Sequence, residues 1–317
     1  MTHIQRRMVA RRAVFGLAAG VSLTLALSAC GGGGGNPLKD PTTSAAAGSG
    51  GSVIVGSADF PENATIAEIY AGALNAAGVT ATTKLNIGSR EIYYPALKDG
   101  SIDIIPDYSG NLLVKVDPSN TATDAASIVK ALKSKLDPGL SVLDPAKAED
   151  KDAMVVTKVT AQKYNLKSID DLAKVCDKLT LGAPPEFAER SNGLAGLKAK
   201  YNCVPANFKK LPSGPVTVKA LTSDDVQVAD IYTTTPDITD QDLVVLEDPK
   251  GNWAAQQVIP LVKTDKVSDA AKTALNKVSS LLTTDDLISL NRMVSGDQKL
   301  DPKAAAATWL KDKGITK

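Results

Sequence analysis

Histidine is almost absent from this sequence: the only one among 317 residues is His3. If the N-terminal segment that carries it is cleaved, the mature protein has no histidine for a catalytic triad, a general base or a metal site. The G-x-S-x-G pattern of serine hydrolases is missing as well. We therefore predict no catalytic residue, no metal and no cofactor, and we expect a protein that is not an enzyme.

A surplus of positive charge is also missing. The chain has 36 Lys and Arg against 35 Asp and Glu, and four of the arginines lie in the first 30 residues, where there is no acid. Removing those four from 36 leaves 32 basic residues against 35 acidic ones. We expect no nucleic acid partner, because no excess of cations is available to neutralise phosphates. The hydrophobic share of 43% and the charged share of 22% are typical of a globular protein, not of a disordered chain or a coiled coil.

Long apolar runs are missing outside the N-terminal segment. There, arginines are followed by seventeen uncharged residues at 13–29, which end in Leu27-Ser28-Ala29 before Cys30. A basic start, an apolar middle and small residues before a cut are typical of a secretory signal. The cysteine makes the segment resemble a bacterial lipoprotein signal, in which Cys30 is lipidated and becomes the new N-terminus. An uncleaved membrane helix is the alternative, and the pair Arg11-Arg12 leaves twin-arginine and general secretory export both open.

Residues 31–52 follow the predicted lipidation site. They begin with a run of glycines at 31–35 and continue with many Pro, Thr, Ser, Ala and Gly residues. Such a segment cannot bury enough apolar area to fold, so the composition predicts a flexible tether. We therefore expect a folded domain that begins at Val53 and is held by a lipid on the extracytoplasmic face of the cell membrane.

Cysteine is scarce, with three in the chain. Apart from Cys30, only Cys176 and Cys203 remain, an even pair in a protein expected outside the cytoplasm. An oxidising compartment favours a disulfide between them. Two free buried thiols are the alternative.

Short apolar runs alternate with helical patterns along the rest of the chain. Strands are predicted at 53–56, 79–87, 102–105, 153–157, 179–182, 226–231 and 243–246, with helices between them. Thr65 and Glu68 are expected to form a capping box on the first helix, which Gly78 ends. The C-terminal third is predicted to be helical, with helices beginning at Ser268, Thr283 and Asp301. The alternation predicts an α/β fold of mainly parallel sheets with helices on both faces, in two domains.

Loops at the carboxyl ends of the strands are the candidate binding regions, because ligands bind there in α/β sheets. These loops are residues 57–64, 88–92, 106–111, 183–190 and 232–238. Ser89 and Tyr94, in the second loop and on the short helix that follows it, are candidate ligand contacts. Arg190 is another, because an arginine can clamp a ligand carboxylate with two hydrogen bonds. A surface ion pair with Glu186 or Glu189 is the alternative for Arg190.

Five segments, in order and spacing, resemble one known family. They are residues 56–63, 96–111, 164–173, 184–194 and 242–251. The first two, GSADFPEN and ALKDGSIDIIPDYSGN, are similar to motifs of the substrate-binding lipoproteins of osmoprotectant ABC importers, the OpuAC-like glycine betaine, choline and carnitine group. The resemblance implies a two-lobed, periplasmic-binding-protein-like (type II) fold, with lobe 1 at 53–150 plus 250–317 and lobe 2 at 151–249. It also implies a monomeric receptor that delivers a small solute to an ABC permease in the membrane.

The same resemblance implies a quaternary ammonium headgroup held in a cage of tyrosines by cation–π attraction. Tyr108 matches the tyrosine of the family's P-E-Y-T-G-T motif, and Asn111 stands at its final threonine. Asn63 takes the place of a glutamine in the first motif. Tyr232 and Thr233 lie in a loop that reads S-T-D-G in many relatives.

Two departures leave the identity of the solute open. Residues 152–154 read Asp-Ala-Met where the family's second lobe usually brings a tyrosine, and Ala58 replaces a usual lysine. The sequence therefore predicts a receptor for glycine betaine, choline or carnitine, with an amino-acid-like amine or a small aromatic molecule as the alternative ligand. Less favoured alternatives are a lipid-anchored hydrolase that uses a pair of carboxylates and an adhesive surface protein.

Overall fold

The computed structural model describes residues 52–317. The predicted signal, the lipidation site Cys30 and the tether up to residue 51 lie outside the described residues. Within the described part of the chain, none of the helices combines the length and the apolar character needed to cross a membrane.

The described residues build two five-stranded sheets. The first sheet has the order β2-β1-β3-β10-β4 and the second sheet β7-β6-β8-β5-β9. The strands are β1 (Val53–Gly56), β2 (Ala81–Lys84), β3 (Ile104–Tyr108), β4 (Leu140–Val142), β5 (Asp152–Val156), β6 (Thr180–Ala183), β7 (Asn207–Lys210), β8 (Val228–Tyr232), β9 (Val244–Val245) and β10 (Val258–Lys263). Each sheet with its helices forms one lobe, and the lobe boundaries at 150/151 and 249/250 stay a prediction.

Helices flank both sheets. They are α1 (Pro61–Ala76), α2 (Arg90–Asp99), α3 (Ser109–Val116), α4 (Ala125–Lys135), α5 (Lys158–Tyr164), α6 (Ile169–Ala173), α7 (Leu194–Tyr201), α8 (Pro215–Thr222), α9 (Asp237–Asp240), α10 (Asp269–Leu281), α11 (Thr284–Ser295) and α12 (Pro302–Asp312). The expected α/β class is therefore confirmed.

Each sheet is mixed, whereas the sequence predicted mainly parallel sheets. In the first sheet β1 is parallel to β2 and β3, but β10 runs antiparallel to β3 and β4. In the second, β6 is parallel to β7 and β8, but β5 runs antiparallel to β8 and β9. The reason lies in the connections: β5 and β10 are the strands by which the chain enters one sheet from the other. Each therefore starts at the edge where its neighbour ends, Asp152 opposite Tyr232 and Val258 opposite Tyr108.

Helix α1 forms the centre of the core of the first lobe. Its apolar residues at helical spacing, Ile66, Ile69, Tyr70 and Leu74, are buried in a cluster that includes residues of α10, α11 and α12. The helix begins at Pro61, one turn earlier than predicted, because proline fits the first helical position.

The predicted capping box on α1 is wrong because both of its residues lie inside the helix. Thr65 donates to the carbonyl oxygen of Pro61, and Glu68 accepts from Thr83. At the other end of α1, Gly78 has a φ of 79°, a left-handed conformation that suits glycine.

The predicted disulfide between Cys176 and Cys203 is confirmed, with the two Cα atoms 5.4 Å apart. Cys176 begins a short 3₁₀ segment, and Cys203 follows α7 by two residues. Both are buried in the core of the second lobe, next to Leu179 and Leu181. The bridge therefore links the 3₁₀ segment to the residues that follow α7.

Candidate functional site

A cavity opens at the edge where strands of both sheets end. It has about 490 Å³ of space unoccupied by atoms, its opening to solvent included. From the first lobe and the crossing segment it is lined by Ala58, Asp59, Phe60, Ser89, Arg90, Tyr93, Tyr108, Asn111 and Asp150. From the second lobe it is lined by Asp152, Glu186, Arg190, Ser213 and Tyr232. The cavity thus lies between the two lobes, as the strand-end loops predicted.

Four aromatic side chains line this cavity, and Phe60 lies near two of the tyrosines. Its ring centroid lies 6.0 Å from that of Tyr108 and 5.5 Å from that of Tyr232, with the rings tilted by 31° and 48°. Tyr93 on α2 is the fourth, and the Arg90 guanidinium lies 5.9 Å from its ring centroid. Tyr108 and Tyr232 are the last residues of β3 and β8, so both tyrosines stand where strands of different sheets meet the cleft. We call Phe60, Tyr93, Tyr108 and Tyr232 the aromatic group.

The hydroxyl of Tyr108 is paired with a buried carboxylate. It donates to Oε1 of Glu62 at 2.6 Å, and the other oxygen of Glu62 accepts from Thr234 and Asn291, each at 2.6 Å. Burial raises the pKa of Tyr108, and the charge of Glu62 raises it further. Because the hydroxyl is already used, the ring is the part of Tyr108 that remains for a ligand.

Asp150 lies close to Glu62 where the chain crosses between the lobes. Its Oδ1 accepts from the backbone N–H of Thr234 at 3.1 Å. Burial raises the pKa of Asp150, and the neighbouring charge of Glu62 raises it further. Thr234 therefore connects α1 of the first lobe to the crossing segment through both carboxylates.

The two arginines that line the cavity already have carboxylate partners. Arg90 places Nη2 at 2.5 Å and Nε at 3.1 Å from Oδ1 of Asp107, and both residues are buried. Burial alone lowers the pKa of Arg90, but the Asp107 carboxylate outweighs it and the pKa is raised. Arg190 places Nη2 3.1 Å from Oε2 of Glu91 and 3.9 Å from Glu186. The ion pair that we kept as the alternative for Arg190 is therefore present, with Glu91 as the nearer partner.

Asn111 connects the two lobes across the cavity. Its Nδ2 donates to Oδ2 of Asp152 at 2.8 Å, and its Oδ1 accepts from Nδ2 of Asn192 at 2.8 Å. Its backbone N–H donates to Gln256. Together with the contact between Arg190 and Glu91, these bonds hold the lobes close together in the described conformation.

Five of the predicted ligand residues line the cavity. They are Ser89, Tyr108, Asn111, Arg190 and Tyr232.

The other three predicted residues, Asn63, Tyr94 and Thr233, lie elsewhere. Asn63 accepts from the backbone N–H of Ala58 and donates to the carbonyl oxygen of Pro106, so its amide joins two strand-end loops. Tyr94 lies on another face of α2, in a surface depression near Asp137. Thr233 accepts from the backbone N–H of Lys151 and bridges the crossing segment.

Sequence reasoning missed several lining residues, above all Phe60, Tyr93 and Asp152. Phe60 lies in a strand-end loop that the sequence marked, but nothing in its own pattern separates it from a core phenylalanine. Tyr93 and Tyr94 are adjacent on a short helix, and only the packing decides which of them meets the cleft. In the sequence, Asp152 belonged to a segment that lacks the tyrosine usual in the family, and it was not recognised as a candidate ligand residue. Its position at the start of β5 places it at the edge of the cleft.

Comparison with known proteins supports the resemblance that the sequence indicated. Residues 51–312 match the family model described as the substrate binding domain of ABC-type glycine betaine transport system. The chain belongs to this family. Its fold is that of type II binding proteins, and the OpuAC resemblance seen in the sequence is thereby confirmed.

Relatives of this OpuAC family member are distant. The chain is 28% identical over 281 residues to the glycine betaine-binding protein YehZ of Escherichia coli K12, which covers 84% of this chain and 92% of that protein. It is 28% identical over 229 residues to the ergothioneine transport permease/ergothioneine binding protein EgtU of Helicobacter pylori G27, over 70% of this chain and 40% of that protein. A solved structure of a glycine betaine/carnitine/choline ABC transporter matches with a TM-score of 0.66 and 25% identity, over 83% of this chain and 99% of that one.

Proposed function

We propose that this protein is the extracytoplasmic receptor of an ABC importer and that it binds a small organic cation of the quaternary ammonium osmolyte class in the cavity between its lobes. The observation that carries the proposal is the aromatic group in that cavity. Ring faces attract organic cations by cation–π interaction, and each well-desolvated contact contributes about 1–2 kcal/mol. Two or three such faces, with a few hydrogen bonds, are enough for affinity in the micromolar range.

Polar residues of the cavity would orient the rest of the solute. Ser89 and Asn111 offer hydroxyl and amide groups, and Arg190 offers a guanidinium that faces Glu91 and the cavity. We assign ligand contact to these three residues and to the aromatic group. We assign Asn63 and Thr233 to the support of the strand-end loops, because neither residue lines the cavity and their side chains bond to the backbone.

The names of the relatives support this ligand class. They name glycine betaine, ergothioneine, carnitine and choline, all of which carry a trimethylated nitrogen. Family membership supports delivery of the solute to an ABC permease in the membrane. We propose that the protein binds its solute without converting it and has no catalytic residue. We also propose that it is a monomer.

We also propose a lipid anchor at Cys30, carried over from the sequence signal, with residues 31–52 as the tether. The test is Cys30→Ser: the variant should be released into the medium or stay unprocessed. A Cys30→Ser protein that is still processed, lipid-labelled and found with membranes would contradict the anchor.

The receptor function is tested by a thermal-shift screen of the purified protein. The panel should contain betaine, choline, carnitine and ergothioneine, together with proline, polyamines and small phenols. A solute that binds only the folded state raises the melting temperature in proportion to RT ln(1 + [L]/Kd). Stabilisation by at least one of betaine, choline, carnitine and ergothioneine, but not by the small phenols, is the expected result.

A further inference from the structure

Asp152 is a buried carboxylate that faces the cavity without a cationic partner. It is 7% exposed, lines the cavity, and begins β5 directly opposite Tyr232 of the aromatic group. Its Oδ2 accepts a hydrogen bond from Asn111, whereas none of the described residues donates to its Oδ1. Neither is any lysine or arginine among residues 52–317 in a salt bridge with it. A carboxylate oxygen that has no donor in the protein and belongs to a residue lining a cavity can accept a hydrogen bond from a ligand.

Neighbouring groups do not supply the missing cation. Arg90 and Arg190 are committed to Asp107 and Glu91. Asp230 lies two residues before Tyr232 on β8 and has a buried oxygen without a partner.

Burial raises the pKa of Asp230, and the nearby charge of Asp152 raises it further. The two aspartates thus lie close together beside the aromatic group, and none of the lysines and arginines among residues 52–317 forms a salt bridge with either. A carboxyl group at this wall of the cavity can accept a hydrogen bond from the cationic group of a ligand.

The kind of cation follows from hydrogen-bond chemistry. A quaternary nitrogen has no hydrogen, so it approaches a carboxylate only across its methyl groups. A protonated primary, secondary or tertiary amine donates an N–H directly, and such charge-assisted hydrogen bonds are about twice as strong as neutral ones. Aromatic faces alone attract both kinds of cation. The carboxylate of Asp152 can therefore discriminate an amine with an N–H from a quaternary ammonium, which the aromatic rings alone cannot do.

We propose that Asp152 makes this cavity prefer a protonated amine that carries an N–H over the quaternary ammonium of the same skeleton. The proposal rests on the receptor function above and, among small organic cations, moves the preferred ligand from a quaternary ammonium to an amine that keeps an N–H. The amine sits against the aromatic group and donates to Oδ1 of Asp152, while Asn111 keeps Oδ2 in place.

Titration calorimetry with matched methylation series tests the preference. One series is glycine betaine, N,N-dimethylglycine and sarcosine, and the other is choline and N,N-dimethylethanolamine, which share their hydroxyl. In the wild type, replacing one N-methyl by hydrogen should raise the affinity by about ten-fold, the value of one hydrogen bond to a buried charge. In Asp152→Asn the two forms should bind within about three-fold of each other, because the charged acceptor is gone.

Asp59→Asn is the matched control, since Asp59 also lines the cavity but its side chain is exposed. It removes the same unit of charge and should keep the ratio between the amines. Thermal unfolding of each variant checks that it is folded. If Asp152→Asn is not folded, the wild-type methylation series alone tests the preference between the amines.

Two different failures are distinguishable. If quaternary members bind as tightly as their dimethyl analogues or more tightly, the receptor function stands and the role of Asp152 is overturned. The role is also overturned if Asp152→Asn keeps the wild-type ratio. If no member of either series binds, the proposed ligand class itself is wrong, and the proposal for Asp152 is overturned with it.

Discussion

The guanidinium of Arg190 and the carboxylate of Glu91 meet across the cleft, with Nη2 of the arginine 3.1 Å from Oε2 of the glutamate. Glu91 belongs to α2 of the first lobe, whereas Arg190 precedes α7 of the second. Because one pair spans both lobes at the rim of the cavity, it favours the closed arrangement over an open one.

We expect Glu91→Gln to open the protein in the absence of ligand. The neutral amide keeps the shape but loses the charge-assisted pair, so the radius of gyration measured by small-angle scattering should increase. Lys98→Gln is the control, because Lys98 pairs with Asp137 at 2.8 Å within the first lobe and both side chains are largely exposed. An unchanged radius in Glu91→Gln, or an equal increase in the control, would contradict a role in closure.

The same pair predicts a pH dependence. Burial alone raises the pKa of Glu91, but hydrogen bonds and charge from Arg190 outweigh it and lower the pKa to about 2, from the ordinary value of 4.5. A carboxylate with a lowered pKa stabilises the fold fully above its unfolded pKa and loses that contribution as the pH falls through the folded one. The difference in melting temperature between wild type and Glu91→Gln should therefore be constant near neutral pH and shrink from pH 4.5 towards pH 2. A difference that persists unchanged at the acid end would refute the assignment.

Tyr108 should contribute to affinity through its ring. Tyr108→Ala removes one face of the aromatic group, so binding of the best organic cation should weaken by about ten-fold in calorimetry. Tyr108→Phe keeps the face, and its affinity should fall by less than about three-fold. Its stability should fall, however, because Glu62 loses one of its donors while it stays buried. Equal binding by Tyr108→Ala and wild type would eliminate this ring from the site.

Two adjacent tyrosines of α2 provide a matched pair. Tyr93 lines the cavity, whereas Tyr94 lies in a depression on another face of the helix. Tyr93→Leu should weaken binding by about ten-fold, and Tyr94→Leu should leave the affinity within about two-fold while lowering the melting temperature. The opposite ranking in titration calorimetry would return Tyr94 to the site.

The disulfide should stabilise the fold without taking part in binding. Cys176 and Cys203 are 27 residues apart, and in the chain-entropy model the closed loop contributes about 3.5 kcal/mol to the free energy of unfolding. The double variant Cys176→Ala/Cys203→Ala should lose about that amount in urea unfolding and still bind the solute. A decrease of less than about 1 kcal/mol in the free energy of unfolding would contradict a stabilising role of the bridge.

Local signals in the sequence were sufficient for much of the fold. The helices predicted to begin at Thr283 and Asp301 are present: Thr283 forms a capping box with Asp286, and Asp301 caps the helix that starts at Pro302, because these devices act within one turn of chain. Strand β10 was missed in a region read as helical, since its pairing with β3 joins residues about 150 positions apart. Helix α3 was read as a loop because Ser109 and Gly110 are typical turn residues.

The candidate site was less predictable than the fold, because packing at long range decides which side chain meets the cleft. Tyr108 and Tyr232 end strands and could be placed there from topology. The sequence could not show which of the neighbours Tyr93 and Tyr94 faces the cleft. Only about one helical turn precedes Pro95 in α2, which is too short for the hydrophobic periodicity to define a face. Asn63 looked like a ligand group, but two backbone partners from different loops already use its amide.

One measurement tests the central claim most directly: calorimetric titration of the purified protein with organic cations, with NMR of the solute recovered afterwards. A receptor with an aromatic cavity should bind one solute per chain with a Kd in the micromolar range or below and return it chemically unchanged. Failure of every organic cation to bind, or recovery of a converted product, would contradict the proposed receptor function.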